Sequence, residues 1–238
     1  MVEPAVLISC EHAVNTVPVP WRQLFEDHED VLTSHRGWDR GALDLAKFLA
    51  EKLSAPCLAA RVSRMLIDHN RSPHNPGLWS DYSRDLPPEE KARLVDEYYA
   101  PFRRQAANWI AMQHADGRQV LHLSVHTFTP VYEGKERDVD LGLLYDPARP
   151  DESYFATRWK SRLLAALPQF RIRSNVPYRG ISDSHLSSYR EQYTSHDYVG
   201  FEVEVNQALV GNNARWTVLQ KAIAASLVNT LQEVSIDE

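Results

Sequence analysis

The sequence predicts an α/β fold, a three-layer α/β/α sandwich around a mixed, mostly parallel sheet. Two observations carry that expectation. Short runs rich in Val, Ile and Leu alternate along the chain with amphipathic stretches of helical period. No internal repeat, low-complexity tract or Pro/Gly/Ser-rich linker interrupts the alternation, so residues 1–238 are expected to form one domain. A domain of this length buries roughly 70–75% of its unfolded surface, and needs no disulfide or structural metal to stay folded.

Taken in order, residues 5–9 read as a strand that ends abruptly at Cys10-Glu11-His12. Asn15, Pro18 and Pro20 then mark a loop. RGALDLAKFLAEKL (40–53) places Ala42, Leu45, Ala46, Leu49 and Leu53 on one helical face. PCLAARV (56–62) reads as a second strand and RMLID (64–68) as a short extended piece. After a polar loop, the period predicts a long helix over 89–115, kinked at Pro101. QVLHLSVHTF (119–128), VDLGLLYD (139–146), FRIRS (170–174) and YVGFEVEVNQ (198–207) read as strands. Helices are predicted over 153–166 and 214–232, with Leu219, Ile223 and Leu227 facing inward in the second.

Composition removes several function classes. With a net charge of −6, nothing favours nucleic acid or an anionic membrane as partner. No run of 18 apolar residues exists, and the N-terminus has no basic segment followed by an apolar one. Two cysteines, Cys10 and Cys57, are too few for a disulfide framework. A reducing cytoplasm is the expected location. The sequence has neither G-x-G-x-x-G nor G-x-x-x-x-G-K-[ST], which disfavours dinucleotide and P-loop nucleotide binding.

Chemistry-bearing residues collect at strand ends. VLISCEH and VLHLSVH both finish on histidine, at His12 and His126. Two neutral imidazoles at neighbouring strand ends can converge on one ion, although each alone reads more readily as a hydrogen-bonded loop residue. In SHRGWDRGA (34–42), Asp39 stands just before a helix and suits either an N-cap or a carboxylate ligand. SRMLIDHNRSP (63–73) holds Arg64, Asp68, Asn70 and Arg71. An Arg beside an Asn suits clamping of a carboxylate, and a surface salt bridge to Asp68 is the alternative. In GFEVEVNQ (200–207), Phe201, Val203 and Val205 share one face, and Glu202, Glu204 and Asn206 the other. Such a carboxylate can serve as the base for a metal-activated water. Cys10 with His126, or Ser124 or Ser63 with a histidine, would be the nucleophilic alternatives. No G-x-S-x-G supports the serine version.

Seven ordered blocks, SCEHAVN-x-VP, HRGWDRGA, SRMLIDHNR, SVHTFTP, GLLYD, N-x-PY and EVEVNQ, resemble the N-formylglutamate amidohydrolase family over residues 8–210. The resemblance implies a phosphorylase/hydrolase-like fold, distantly related to zinc carboxypeptidases. It also implies a Zn²⁺-dependent hydrolase that cleaves an N-acyl group, typically formyl, from an acidic amino acid. Carried over by block, His12, Asp39 and His126 are the expected zinc ligands, with Glu11 as rival to Asp39. The position three after the first histidine, where zinc carboxypeptidases have an acidic ligand, is Asn15. Asn70 and Arg71 resemble the pair that holds a substrate carboxylate, with Arg64 and Tyr178 as further substrate contacts. Glu204 is the expected general base.

The chain also departs from the family pattern. Val14 replaces a glycine and Thr127 a serine; EVNQALV stands for E-I-R-Q-D-L-I, and SNVPYRG for D-N-E-P-Y-S. The lost charges lie where side-chain recognition would occur, and the metal chemistry is untouched. Two other readings are a carboxylate-binding protein without catalysis and a metal-independent thiol hydrolase using Cys10.

Overall fold

The computed structural model describes residues 4–211 and 213–237. Its strands are β1 (Ala5–Cys10), β2 (Cys57–Ala59), β3 (Val120–Phe128), β4 (Val131–Tyr132), β5 (Lys135–Glu136), β6 (Leu141–Leu144), β7 (Ile172–Ser174) and β8 (Tyr198–Asn206). Its helices are α1 (Glu29–Thr33), α2 (Ala42–Leu53), α3 (Pro88–Leu94), α4 (Ala100–Ala115), α5 (Pro150–Ala166), α6 (Ser187–Gln192) and α7 (Asn213–Asp237). Six strands form a mixed, mostly parallel sheet in the order β2-β1-β3-β8-β6-β7, with only the β6–β8 pairing antiparallel. β4 and β5 make a separate small hairpin.

Period-2 alternation assigns the two faces of the sheet. Leu121, Leu123 and Val125 of β3 join Phe201, Val203 and Val205 of β8 in the larger core. There they meet Leu45 and Leu49 of α2, Phe155 and Trp159 of α5, and Leu219, Ile223 and Leu227 of α7. On the opposite face Leu7, Val120 and Tyr198 pack with Ala106 and Ile110 of α4 and Tyr189 of α6. Every residue of β3 and β8 is buried, on both faces. The side chains of Ser124, His126, Glu202 and Glu204 therefore lie inside the protein, not on a wet edge.

A third cluster roofs the loops. Trp21, Phe25, Leu66, Ile67, Leu78 and Leu94 pack together over the strand ends. That explains a departure from expectation: RMLID is a turn at Arg64–Leu66 followed by irregular chain, not an extended piece. Its apolar residues fill this satellite core without joining a sheet. The predicted second strand is likewise shorter, only Cys57–Ala59. The predicted long helix is continuous over 88–115, and its disturbance is a π-turn at Val95–Tyr99. Pro101 stands just past that turn, and the wider turn accommodates the ring and the N–H it lacks.

The chain order places a crevice. From β1 it runs through α2 to β2 on one side, then returns to β3 on the other. Such a reversal leaves a gap beyond the carboxyl ends of the two strands, where open α/β sheets take their ligands.

Candidate metal centre and substrate cleft

Glu11 and His12 leave the end of β1, and His126 stands near the end of β3, so both histidines open onto that crevice. Asp39 joins them from the segment before α2. The backbone carbonyl of His12 accepts from the Asp39 N–H at 3.0 Å. Asp39 does not cap the helix. Gly41, with φ of 87°, occupies the N-cap position, and the Asp39 carboxylate turns to the histidines instead.

The Nδ1 atoms of His12 and His126 lie 3.2 and 2.9 Å from the same oxygen, Asp39 Oδ2. All three residues are buried. Arg64 Nη1 stands 3.2 Å from His12 Nδ1. Arginine has no acceptor, so the His12 Nδ1 must carry a lone pair. Its Nε2–H then donates to Asp68 Oδ1 at 2.8 Å. A lone pair and a carboxylate oxygen therefore face one another, and a metal cation placed between them would be bound by both. His126 is held the same way round: its Nε2 lies 2.8 Å from Ser124 Oγ, which donates to Glu11 Oε2 at 2.6 Å.

The electrostatics agree with a cation site. Burial opposes ionisation of Asp39, yet His12 and His126 overcome it and hold its carboxyl well below the usual range. Burial likewise opposes a charged His126, and the hydrogen bonds to Asp39 and Glu11 raise it well above an ordinary imidazole, so without a metal the cation facing Asp39 is a proton on the His126 Nδ1. Asp68 is kept ionised against burial chiefly by Arg64, whose Nη2 donates to it at 3.0 Å. Two imidazole nitrogens and a carboxylate, each oriented by an outer partner, suit zinc in its three-ligand, open form. Their donor atoms lie within 4.8 Å of one another.

A second group, Glu11, His122 and His185, has the same compactness. Its donors are already engaged. His122 bonds Tyr198 Oη and Ser9 Oγ, and His185 bonds Glu11 and Tyr189 Oη. All three residues are fully buried. This group is a hydrogen-bonded layer beneath the site, and Glu11 faces that layer, away from the cleft.

The cleft beside the histidines has a volume of ≈ 220 Å³ and is lined by His12, Asp39, Arg64, Asn70, Arg71, His126, Tyr178, Glu202 and Glu204 among others. That size suits an amino-acid derivative better than a drug-sized ligand, for which about 300–1,000 Å³ is usual. The expected ligands His12, Asp39 and His126, the expected base Glu204 and the four expected substrate contacts thus border one cavity, and the rival ligand Glu11 does not. Glu202 and Glu204, two apart on β8, differ in their surroundings. Glu202 accepts from Asn70 Nδ2 at 2.9 Å. Glu204 Oε2 has no hydrogen-bond partner among the described residues although it is buried. Burial pushes the Glu204 carboxyl up to about 8; His126 pulls against burial, while Asp39 and Glu202 act with it.

The clamp residues differ in what they can still offer. Arg71 Nη1 donates to the backbone oxygen of Asp183 at 2.6 Å, and the rest of its guanidinium borders the cleft. Asn70 has both ends of its amide engaged, with its oxygen accepting from the His185 backbone N–H at 2.8 Å. It braces the wall more than it reaches for a ligand. Tyr178 is half exposed at the mouth, where its hydroxyl accepts from Arg137 at 3.1 Å. Arg179, beside it on the lining, was not singled out by the sequence reading, nor was His185. Both lie in irregular loops, where no periodicity marks a side chain's direction.

The profile of the N-formylglutamate amidohydrolase family matches residues 4–210. No curated protein matches the sequence. Among solved structures, a gene product from Agrobacterium tumefaciens is similar with 29% identity and a TM-score of 0.80, over 99% of this chain and 92% of that one. The N-formylglutamate amidohydrolase from Ralstonia eutropha is similar with 15% identity and a TM-score of 0.73, over 100% of this chain and 96% of that one. At that identity the likeness bears on the fold alone. Among the described residues, no helix is long and apolar enough to cross a membrane. With the family profile covering nearly the whole sheet and every block of the cleft, the chain belongs to the N-formylglutamate amidohydrolase family and is a hydrolase acting on an amide.

Proposed function

We propose that this hydrolase is zinc-dependent and removes an N-acyl group, formyl first among candidates, from an acidic amino acid such as N-formyl-L-glutamate. The observation that carries the reading is the convergence of His12 Nδ1, His126 Nδ1 and Asp39 Oδ2, with the two Nε2 atoms held from behind. His12, Asp39 and His126 would hold the ion. When bound, zinc supplies Lewis acidity toward the acyl carbonyl and the attacking water.

The chain's own residues do the rest. Arg71 holds the free carboxylate of the substrate, with Arg64 and Tyr178 on the same lining. Asn70 fixes that wall, so the scissile bond is held against the metal ligands. Glu204 accepts a proton from the attacking water as its oxygen bonds to the acyl carbon. It then returns that proton to the amine nitrogen as the C–N bond breaks, giving formate and the free amino acid. An unpartnered, buried carboxylate whose pKa is pushed up to about 8 is suited to both halves of that transfer. Arg64 on the lining is engaged by Asp68, and Arg71 and Arg179 are the further cations there that suit an anionic substrate.

Nothing favours the thiol alternative. Cys10 is fully buried in the larger core, and burial pushes its thiol well up, away from the thiolate a nucleophile needs. The test is elemental analysis of protein purified without chelator or added metal, paired with formate release from N-formylglutamate. One zinc per chain with turnover is expected. A stoichiometric metal with no turnover on formyl, acetyl or longer acyl derivatives of acidic amino acids would contradict the substrate assignment.

A further inference from the structure

The two histidines are not supported alike. His12 Nε2 meets a carboxylate directly, at Asp68. His126 Nε2 meets first a hydroxyl, Ser124 Oγ at 2.8 Å, with Glu11 Oε2 and the Asn70 amide nitrogen farther off at 3.4 Å each, and that hydroxyl leads on into the protein. Ser124 donates to Glu11 Oε2 at 2.6 Å, Glu11 Oε1 lies 2.7 Å from His185 Nδ1, and His185 Nε2 lies 3.1 Å from Tyr189 Oη. Glu11, Ser124 and His185 are each fully buried, and none of them borders the cleft.

The direction of the chain follows from proton counting. A serine hydroxyl carries one proton, and here it goes to the Glu11 carboxylate. The contact between Ser124 and His126 can then be a hydrogen bond only if the His126 Nε2 is the donor. That choice leaves the His126 Nδ1 as the nitrogen that gives up its proton and offers a lone pair when a metal binds, and Nδ1 is the atom facing Asp39. His185 Nδ1–H supplies the second donor to Glu11 and so leaves that carboxylate satisfied at both oxygens. An unsatisfied carboxylate at this depth would be strongly disfavoured.

We infer that Glu11, Ser124 and His185 are positioning residues that act through one another to set the tautomer and orientation of His126 for metal binding. The inference rests on the proposed zinc site. It assigns Glu11 an outer role in place of the ligand role that adjacency to His12 suggests. It also predicts that removing one hydroxyl, on a residue that touches neither metal nor substrate, weakens the metal site. Outer partners of ligating histidines typically change metal affinity by about 10- to 100-fold.

The experiment measures zinc affinity of the full chain by competition with a chromophoric chelator. Wild type is compared with Ser124→Ala, Glu11→Gln and Ser9→Ala. Ser9 belongs to the same buried layer but bonds His122, outside the relay, so its variant reports any general loosening of that layer. Ser124→Ala and Glu11→Gln are expected to weaken zinc binding about 10- to 100-fold, and Ser9→Ala less than about threefold. Nitrogen NMR of ¹⁵N-histidine-labelled, zinc-loaded protein reads the tautomer directly. His126 should be protonated at Nε2 and unprotonated at Nδ1 in wild type, and the reverse assignment overturns the relay. Should Glu11→Gln fail to fold, Ser124→Ala alone decides, since it removes one atom and introduces none. Zinc affinity within threefold of wild type in Ser124→Ala, or equal weakening in Ser9→Ala, overturns the relay while leaving the zinc reading intact. Absence of zinc binding by wild type overturns both.

Discussion

At the scale of single residues, the centre is defined by which nitrogen of each histidine faces inward. Arg64 decides this for His12, because a guanidinium can only donate. Position in sequence could not decide it, and it left Asp39 open between helix cap and ligand. The cap is supplied by Gly41, which frees the carboxylate. The roles proposed for Arg71 and Glu204 separate in kinetics. The substrate carboxylate carries the same charge in ground and transition states, so Arg71→Ala should raise KM and lower kcat only as positioning is lost. A charge-assisted hydrogen bond is worth roughly 1.5–3 kcal/mol, which predicts a fall in kcat/KM on the order of ten- to a hundredfold. Glu204→Gln keeps the size of the side chain and removes the base. Steady-state kinetics should show kcat lower by about 10² to 10⁴ with KM and zinc content near wild type. A near-normal kcat in Glu204→Gln would move the base to Glu202.

Elements aim these residues, and one strand does so by closeness. β6 runs antiparallel beside β8, and Gly142 lies opposite Glu204. A Cβ on Gly142 would stand 2.1 Å from the Val176 backbone oxygen and 3.4 Å from the Cβ of Glu204. Backbone cannot yield there as a flexible side chain could. Gly142→Ala should therefore destabilise the protein by about 1–3 kcal/mol, read as a lower urea midpoint, and should depress kcat by displacing Glu204. Unchanged stability and unchanged kcat together would show that the β6–β8 contact has room to spare. The period-2 alternation of β8 was legible in the sequence because it is a local property of the strand. That its polar face is fully enclosed was not legible, because the enclosure comes from distant parts of the chain: Asn70 and the loop carrying Asp183 and His185.

Over the whole molecule, burial of histidine ties stability to pH. His69 sits against Phe102 and Tyr99, fully enclosed, with Nδ1 3.2 Å from the backbone oxygen of Ile67. Burial lowers its pKa to about 4, below the usual 6.5. The folded chain therefore stays neutral at His69 while the unfolded chain takes up a proton. Stability present above about pH 6.5 is lost as pH falls toward 4, by roughly 3 kcal/mol for this group. In metal-free protein, His69→Phe should show a shallower loss of urea midpoint between pH 7 and 4.5 than wild type. Parallel curves for the two proteins would rule His69 out as the source.

The α/β architecture was readable because alternation and helical period are written every few residues. The site was readable in part. His12, His126 and Glu204 stand on or just past strands whose direction the pattern sets. Asp68 and His185 sit in irregular segments between elements, where the same residue types read as surface polarity. Asp68 in particular, open to reading as a surface ion pair, is buried against His12 and Arg64.

The central claim is that one zinc held by His12, Asp39 and His126 is required for hydrolysis of an N-acyl acidic amino acid. The most direct measurement adds zinc stepwise to chelator-treated protein, following bound zinc and formate release from N-formylglutamate in the same samples. The predicted result is activity that rises in proportion to occupancy and saturates at one zinc per chain, with neither signal in His126→Ala. Full activity before any zinc is added, or one zinc bound as tightly by His126→Ala as by wild type, would contradict it.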